Sequence, residues 1–257
     1  MPDLLRPTPN RPQPAARSVA DQLSAEVMEQ LSLGAQLPSE AELAQRFAVS
    51  RVTVREALKI LAGQGLVGLS RGRRAVMTQP DGAIFGGFLK SLIKSDPRAL
   101  FDLLQVRRTL ELQSVTLAAR HASRAGLAAV EGALDAMYTA AVAGERGIDR
   151  LTAEQDFVTA DVRFHQAVAL SGGNRVLTYL FEAMETTLRE AFVASQRGQR
   201  RSGKSLIWGH AMHRTIFDHV RAHDEKAAGE AMMALLTDAE LHLRWGIDHP
   251  RDGEEVA

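Results

Sequence analysis

Arginines with the spacing of a DNA-contacting surface fall in one short stretch of this 257-residue chain. Arg51, Thr53 and Arg55 lie within two turns of one predicted helix, on the face opposite to its apolar residues. The planar guanidinium of arginine can bind O6 and N7 of guanine together, so these side chains suit base edges in the major groove. A second group, Arg71-Gly72-Arg73, lies at a predicted hairpin tip, where glycine lets the backbone approach a sugar-phosphate chain.

A second set of residues has the spacing of metal ligands. Asp161 and His165 are four residues apart in a predicted helix, which puts a carboxylate and an imidazole on one face. Such a pair can share a divalent cation. His210 and His213 are both candidates for a third ligand. The alternative is a hydrogen-bonded network without metal, because apolar neighbours indicate that the pair faces inward, where polar groups need partners.

The elements that would position the arginines follow one another in the sequence. Ser39 and Glu42 predict a capping box for one short helix. Ser50 is predicted to cap a second helix, and Gly65 to end it. Extended runs on either side of the arginine-glycine turn predict a short hairpin. This order predicts a winged helix-turn-helix. The predicted DNA-binding residues are Ser50, Arg51, Thr53, Arg55, Arg71, Gly72 and Arg73.

The distribution of charge agrees with this interpretation, although the whole chain has a net charge of zero. Residues 1–80 hold ten Lys/Arg against seven Asp/Glu, a net charge of +3. The remainder holds 21 against 24, a net charge of −3. Overall neutrality argues against a non-specific coat on polyanions, so specificity would come from a few placed arginines. Solvated arginines on a small helical subdomain are the alternative.

Composition excludes several other classes of protein. The chain has no cysteine, which excludes a disulfide framework and a thiolate site and fits a reducing cytoplasm. No run approaches the roughly 18 apolar residues that a membrane helix needs. Prolines near the N-terminus stand where a signal peptide would have an apolar core. We therefore predict a cytoplasmic protein without a membrane partner.

Turn signals and composition divide the chain into five predicted parts. Residues 1–17 are proline-rich and predict a disordered leader, and residues 18–79 predict the winged helix-turn-helix domain. Residues 80–97 predict a linker with one short helix. Residues 98–247 show helical periodicity only and predict a bundle of six helices, followed by a tail at 248–257. The expected fold class is mainly α.

The boundaries and buried faces of two helices are predicted in more detail. Ser18 is predicted to cap the first helix, whose apolar face recurs every fourth residue. Its members are Val19, Leu23, Val27 and Leu31. Pro97 is predicted to start the first long helix of the bundle, which continues to about Ser123 with Val106 inside.

The stretch LPSEAELAQRFAVSRVTVREALKILAGQGLV resembles the N-terminal domain of the GntR family of bacterial transcription regulators. The family pattern is close to LPSExELAxxxxVSRxxVREALxxLxxxGLV. The resemblance implies a regulator, not an enzyme, that binds double-stranded operator DNA. Many relatives carry arginine where this chain has Ala41, so one expected DNA contact is absent. The hairpin tip has Arg74 where many relatives have glycine.

Residues 98–246 resemble the helical effector domain of the FadR branch of that family. Asp161 and His165 match its D-x-x-[FY]-H element, and His213 matches the histidine of a later element. In many relatives these residues hold a metal beside a small carboxylate effector. By the same resemblance, Arg107 would pair with the effector's carboxylate. Asn174, in the matching S-G-N element, is also assigned to the effector.

The chain departs from the branch at a fourth metal ligand. Where relatives commonly have histidine, this chain has Leu235. His242 lies two turns later on the same face, roughly 10 Å along the helix axis, which is too far for a simple exchange. Either water or effector completes a three-residue site, or the site binds metal weakly or not at all. Imidazole ligands favour a borderline metal such as zinc or nickel.

These observations together predict a homodimeric, ligand-responsive repressor that binds a pseudo-palindromic operator and responds to a small carboxylate such as a sugar acid. Two alternatives stay open on the sequence. One is a metal-dependent hydrolase or oxygenase-like helical domain fused to a DNA-binding domain. The other is an architectural DNA binder without an effector.

Overall fold

A computed structural model describes residues 15–30, 32–78, 82–147 and 149–248 of the chain. The chain forms two compact units, Met1–Ile84 and Phe85–Ala257. Residues 249–257 of the predicted tail, most of the predicted leader and Leu31 lie outside the described residues. No helix among the described residues is long and apolar enough to cross a membrane.

The first unit contains three helices and one two-stranded sheet. The helices and strands are α1 (Ala15–Gln30), α2 (Glu40–Arg46), α3 (Arg51–Gly63), β1 (Val67–Gly68) and β2 (Val76–Met77). The strands are antiparallel, with Val67 opposite Met77. A single bridge from Gln36 to Val76, which the sequence pattern did not predict, adds a third chain segment to this sheet.

Local signals account for most of these boundaries. Both halves of the predicted capping box are present, because Ser39 N–H donates to Glu42 at 2.6 Å and Glu42 N–H donates to Ser39 Oγ at 3.3 Å. Gly65 follows α3 with a φ of +75°, a left-handed conformation that glycine adopts without strain. The cap predicted at Ser18 is wrong, because Ser18 lies inside α1, which begins at Ala15.

The core of the first unit joins α1 to the helix-turn-helix. The predicted apolar face of α1 is buried at each of its described positions, Val19, Leu23 and Val27. It packs with Leu43 of α2 and with the buried stripe of α3. That stripe is Val54, Ala57, Leu58 and Leu61. Arg46 of α2 also pairs with Glu26 of α1 at 2.6 Å, so α1 braces the two shorter helices.

Helices alone form the described part of the second unit, which confirms a mainly α fold. They are α4 (Ala83–Ser95), α5 (Ala99–His121), α6 (Arg124–Glu145), α7 (Arg150–Ser171), α8 (Arg175–Arg201), α9 (Leu206–Arg221) and α10 (Glu225–Asp248). The largest buried cluster combines residues of α5, α6, α7, α9 and α10. A second cluster gathers α8 with parts of α4, α5, α7 and α10.

Helix α5 differs from its prediction at both ends. It begins at Ala99 because Asp96 Oδ1 accepts the Arg98 N–H at 3.0 Å and holds residues 96–98 in a turn. It ends at His121 because Ser123 caps the following helix, accepting the Gly126 N–H at 3.1 Å.

One position on the buried face of α5 also differs from the prediction. Val106, predicted to lie inside, is exposed. The polar residues Arg107, Glu111 and Ser114 are buried instead. Apolar periodicity predicted Leu103 correctly and Val106 wrongly, since the buried stripe of α5 also carries charged residues.

Helix α4, which falls in the predicted linker, packs against α8. Leu89 is buried in a cluster with Phe181 and Leu188. Gly86 permits the close approach, because a Cβ atom there would lie 2.8 Å from the Ala183 carbonyl oxygen. From Phe85 onward α4 therefore belongs to the second unit.

Candidate functional site

The N-terminus of α3 presents the predicted DNA-binding residues to solvent. Ser50 caps the helix, accepting the Thr53 N–H at 3.0 Å, and its Oγ lies 2.8 Å from Thr53 Oγ1. Arg51 and Arg55 are exposed. The cap fixes the first turn of α3, so the two arginines leave the helix from a rigid base.

Arg55 is held by a carboxylate of the neighbouring helix. Its Nε donates to Glu40 Oε1 at 3.1 Å and a terminal nitrogen donates to Oε2 at 2.7 Å. The hydrogen bond and charge of Arg55 lower the pKa of Glu40 below its ordinary value. Arg55 therefore has a defined position before any DNA is bound.

The hairpin tip is a tight turn with an arginine on each side of its glycine. Arg73 N–H donates to the Ser70 carbonyl at 3.1 Å, and Gly72 has a φ of +73°. This conformation at the third position is that of a type II turn. A groove joins the tip to α3. The basic residues that line it are Arg55, Lys59, Arg71, Arg73 and Arg74.

Asp161, His165 and His213 come together in the second unit. One ligand atom from each lies within 4.8 Å of the others, the only such group of three among the described residues. Asp161 Oδ1 is 2.7 Å from His213 Nε2 and 3.8 Å from His165 Nε2. Both imidazoles are buried, so α7 and α9 bring these polar atoms together away from bulk water.

In each imidazole, the nitrogen that faces away from Asp161, Nδ1, donates a hydrogen bond that fixes the ring. His165 Nδ1–H donates to Glu111 Oε2 at 2.8 Å, and His213 Nδ1–H donates to the Gly209 carbonyl at 2.8 Å. In the neutral rings this leaves both Nε2 atoms as lone-pair acceptors. His213 Nε2 is buried, and it faces Asp161 Oδ1 at 2.7 Å. Three acceptor atoms therefore face one another, an arrangement that fits a cation.

Charged groups around this cluster are also buried. Glu111 is completely buried and accepts hydrogen bonds from Arg107 at 3.0 Å and from His165. Burial alone would raise the pKa of Glu111, but the charges of His165 and Arg107 lower it. Burial likewise opposes ionisation of Asp161, yet its interaction with His213 and the nearby charges lower its pKa to about 2. Both carboxylates are therefore ionised at neutral pH.

A cavity of about 40 Å³ lies against the three residues. Besides the cluster, Arg107, Phe192 and Leu235 form parts of its wall. The Arg107 guanidinium lies over the Phe192 ring, 4.4 Å from its centroid. Leu235, at the position where relatives commonly have histidine, is buried and faces the same cavity.

Three other polar residues lie away from this cavity wall. His210 is half-buried beside the Tyr138 ring, with 5.2 Å between centroids. His242 bonds to the Asp238 carbonyl at 2.7 Å and lies 3.0 Å from Ser202 Oγ. Asn174 Oδ1 accepts the N–H groups of residues 176 and 177 and caps α8. Asn174 therefore caps α8 through its side-chain oxygen, and its predicted effector contact stays a prediction.

Sequence reasoning gave Glu111 no role, although its position carried a signal. Glu111 lies four residues after Arg107, the spacing of an ion pair on one helix face. Its contact with His165 joins residues 54 apart in sequence. Local sequence patterns could not predict this contact, because it depends on the packing of α5 on α7.

The two units define a winged helix-turn-helix domain followed by a helical domain. Residues 15–77 match the model of the bacterial regulatory proteins of the gntR family, and residues 102–238 match the FCD domain. The chain belongs to the GntR family. Members of this family are transcription regulators and not enzymes, so the hydrolase or oxygenase alternative has no support.

Two curated relatives from Escherichia coli K12 cover most of the chain. The galactonate operon transcriptional repressor is 29% identical over 82% of this chain and 88% of its own. The transcriptional repressor NanR is 30% identical over 88% of this chain and 85% of its own. A solved GntR structure from Streptococcus agalactiae is 24% identical, covers 88% of this chain and 98% of that chain, and has a TM-score of 0.65. That structure agrees with this one in fold.

Proposed function

We propose that the chain is a ligand-responsive repressor that binds a pseudo-palindromic operator as a homodimer and responds to a small carboxylate, such as a sugar acid, bound with a divalent metal. The observation that carries the effector site is the meeting of three acceptor atoms, from Asp161, His165 and His213, in a buried cavity. Without a cation or a proton, these acceptors repel one another.

The chemistry of the three residues favours zinc or nickel. Two imidazoles and one carboxylate are ligands that borderline divalent metals accept, and the hydrogen bonds made by each Nδ1 orient both rings with Nε2 toward Asp161. When bound, the metal would supply positive charge and open coordination positions for the oxygens of an acid. Arg107 is the protein's own cation on the cavity wall, and its ion pair with Glu111 uses only some of its N–H groups. Its remaining N–H groups are suited to a carboxylate.

The name of one relative supports the class of effector. The galactonate operon repressor matches across both units, and galactonate is a sugar acid. The cavity wall also includes the polar side chains of Gln196 and Gln199 beside the cluster. These amides are suited to the hydroxyl groups of such an acid.

The first unit would contact the operator. Arg51 and Arg55 would read base edges from the first turns of α3, while Arg71 and Arg73 would hold the hairpin against the backbone. A single unit of this size would contact one half-site weakly, so two copies on a pseudo-palindrome would supply the remaining affinity. Effector binding would change the relative stability of two dimer states. We place the protein in the cytoplasm, where bacterial operator DNA lies.

Exposed aromatic residues of α4 support the homodimer. Phe85 and Phe88 are 45% and 60% exposed, and their rings stack with 6.2 Å between centroids. Leu92, one turn further along the same face, is 43% exposed. We expect a second copy to cover this face. A monomer at micromolar concentration in sedimentation, with and without operator DNA, would contradict the dimer.

Metal analysis tests the effector site directly. Protein purified without chelator should contain close to one zinc or nickel per chain, and His165→Ala should lose it. His210→Ala is the matched control, since His210 lies outside the cluster. Equal metal content in wild type and His165→Ala would end the metal proposal.

Ligand screening tests the response to effector. Sugar acids should raise the melting temperature in the presence of metal, and the shift should shrink after chelation. The same acids should change the affinity for operator DNA. If no carboxylate shifts the melting temperature while operator binding persists, the architectural alternative gains support.

A further inference from the structure

Val52 is an exposed apolar residue on the face of α3 that carries the arginines. Its side chain is 66% exposed, and it follows Arg51 in the first turn of the helix. At 3.6 residues per turn, Val52 points away from the buried stripe centred on Val54 and Leu61. Glu56 and Lys59 continue the same outward strip.

The fold itself gives no reason for valine at this position. Val52 takes no part in the core of the first unit. A β-branched side chain loses χ1 freedom in a helix, so an exposed valine is disfavoured relative to alanine or a straight-chain residue. A single exposed apolar residue is ordinary on a protein surface. The informative feature is its place between two base-reading arginines.

Its neighbours define what Val52 could contact. Arg51 precedes it, and Arg55 lies three residues on, held by Glu40. Side chains three apart on a helix are neighbours, so a contact made by Val52 would fall beside the base read by Arg55. Among the four bases, only thymine presents a methyl group in the major groove.

We propose that Val52 packs against the C5-methyl group of a thymine in each operator half-site, next to a guanine read by arginine. This inference rests on the proposed function, in which α3 enters the major groove. It adds a specificity that the arginines do not provide, because cytosine has only a hydrogen at C5, where thymine presents its methyl group.

The test uses operator DNA selected by the wild-type protein from a randomised pool. Each thymine of the selected half-site is replaced in turn by deoxyuridine, which removes the methyl group and keeps the base-pairing edge. One position per half-site should lose affinity by about fourfold, the effect expected for one buried methyl group. Val52→Ala should bind the thymine and uracil operators with equal affinity.

Val176→Ala is a matched control. Val176 is 67% exposed and is the second residue of α8, as Val52 is the second residue of α3. Val176→Ala should keep the full thymine preference. If Val52→Ala keeps the preference at every thymine, or if no thymine matters to the wild type, the inference is wrong while DNA reading stands. If selection enriches no sequence, the proposed function itself fails and takes this inference with it.

Discussion

Two arginine–glutamate pairs of similar geometry occupy opposite environments in the two units. In the first unit, Arg55 and Glu40 meet at 2.7 Å, with side chains that are 57% and 36% exposed. In the second unit, Arg107 and Glu111 meet at 3.0 Å, with side chains that are 8% and 0% exposed. The N–O distances are similar, so the two pairs differ mainly in how far their side chains are exposed to solvent.

The exposed pair can be exchanged for other partners at little cost. Arg55 can leave Glu40 for a guanine, because water solvates whichever group is released. The buried pair has no such freedom, since an unpaired charge at Glu111 would remain in the protein interior. Arg107 and Glu111 therefore act as a fixed support for His165, whereas the proposed function requires Arg55 to exchange Glu40 for DNA.

Glu111→Ala should have the largest effect on stability. Removing one partner of a buried ion pair typically costs about 3–5 kcal/mol, because the other charge stays buried. Here the substitution also removes the acceptor that fixes the His165 ring. Urea unfolding of metal-free protein measures the change. Glu111→Gln keeps the volume but also removes the charge, so it should lose nearly as much; a much smaller loss in Glu111→Gln would contradict an electrostatic origin.

Arg55→Ala should weaken operator binding by about 10- to 100-fold and relax specificity at one base pair, as expected for loss of a bidentate base contact. Arg71→Ala should weaken binding more evenly across sequences and reduce the slope of log affinity against log salt by about one. Fluorescence anisotropy at several salt concentrations separates the two. Unaltered operator affinity in both Arg51→Ala and Arg55→Ala would show that α3 is not the base-reading helix.

The same contrast shows which residues of the two sites could be predicted from the sequence. Arg51, Arg55 and the wing turn follow from local patterns, because caps and helical spacing act within a few residues. Glu111 could not be assigned, since its role depends on packing between α5 and α7. Val106 was predicted wrongly for a related reason: apolar periodicity takes no account of a buried ion pair.

Acid should destabilise the second unit through Asp161. Its pKa falls from an ordinary value of 3.8 to about 2 on folding. The ionised carboxylate therefore stabilises the folded state above about pH 4, and this stabilisation, about 2 kcal/mol, is lost as pH falls toward 2. Asp161→Asn should remove that part of the acid dependence.

The measurement is urea unfolding between pH 5 and pH 2.5 in the presence of chelator. Glu111 contributes in the same direction because its pKa is also lowered, so the wild type and the variant must be compared. An identical loss of unfolding free energy in Asp161→Asn would contradict the assignment.

Glu40→Gln should have the smallest effect and tests the exposed pair most sharply. The melting temperature should stay almost unchanged, because exposed ion pairs contribute little to stability. Binding to scrambled DNA should strengthen by about two- to fivefold. The substitution removes a carboxylate beside the basic groove between α3 and the hairpin tip, which we propose contacts DNA phosphates. Operator affinity should gain less, because Arg55 loses the carboxylate that fixes its position. The ratio of operator to scrambled affinity should therefore fall.

A melting temperature that drops as far as that of Glu111→Ala would contradict the comparison, because it would mean that the exposed pair stabilises the fold as much as the buried pair does.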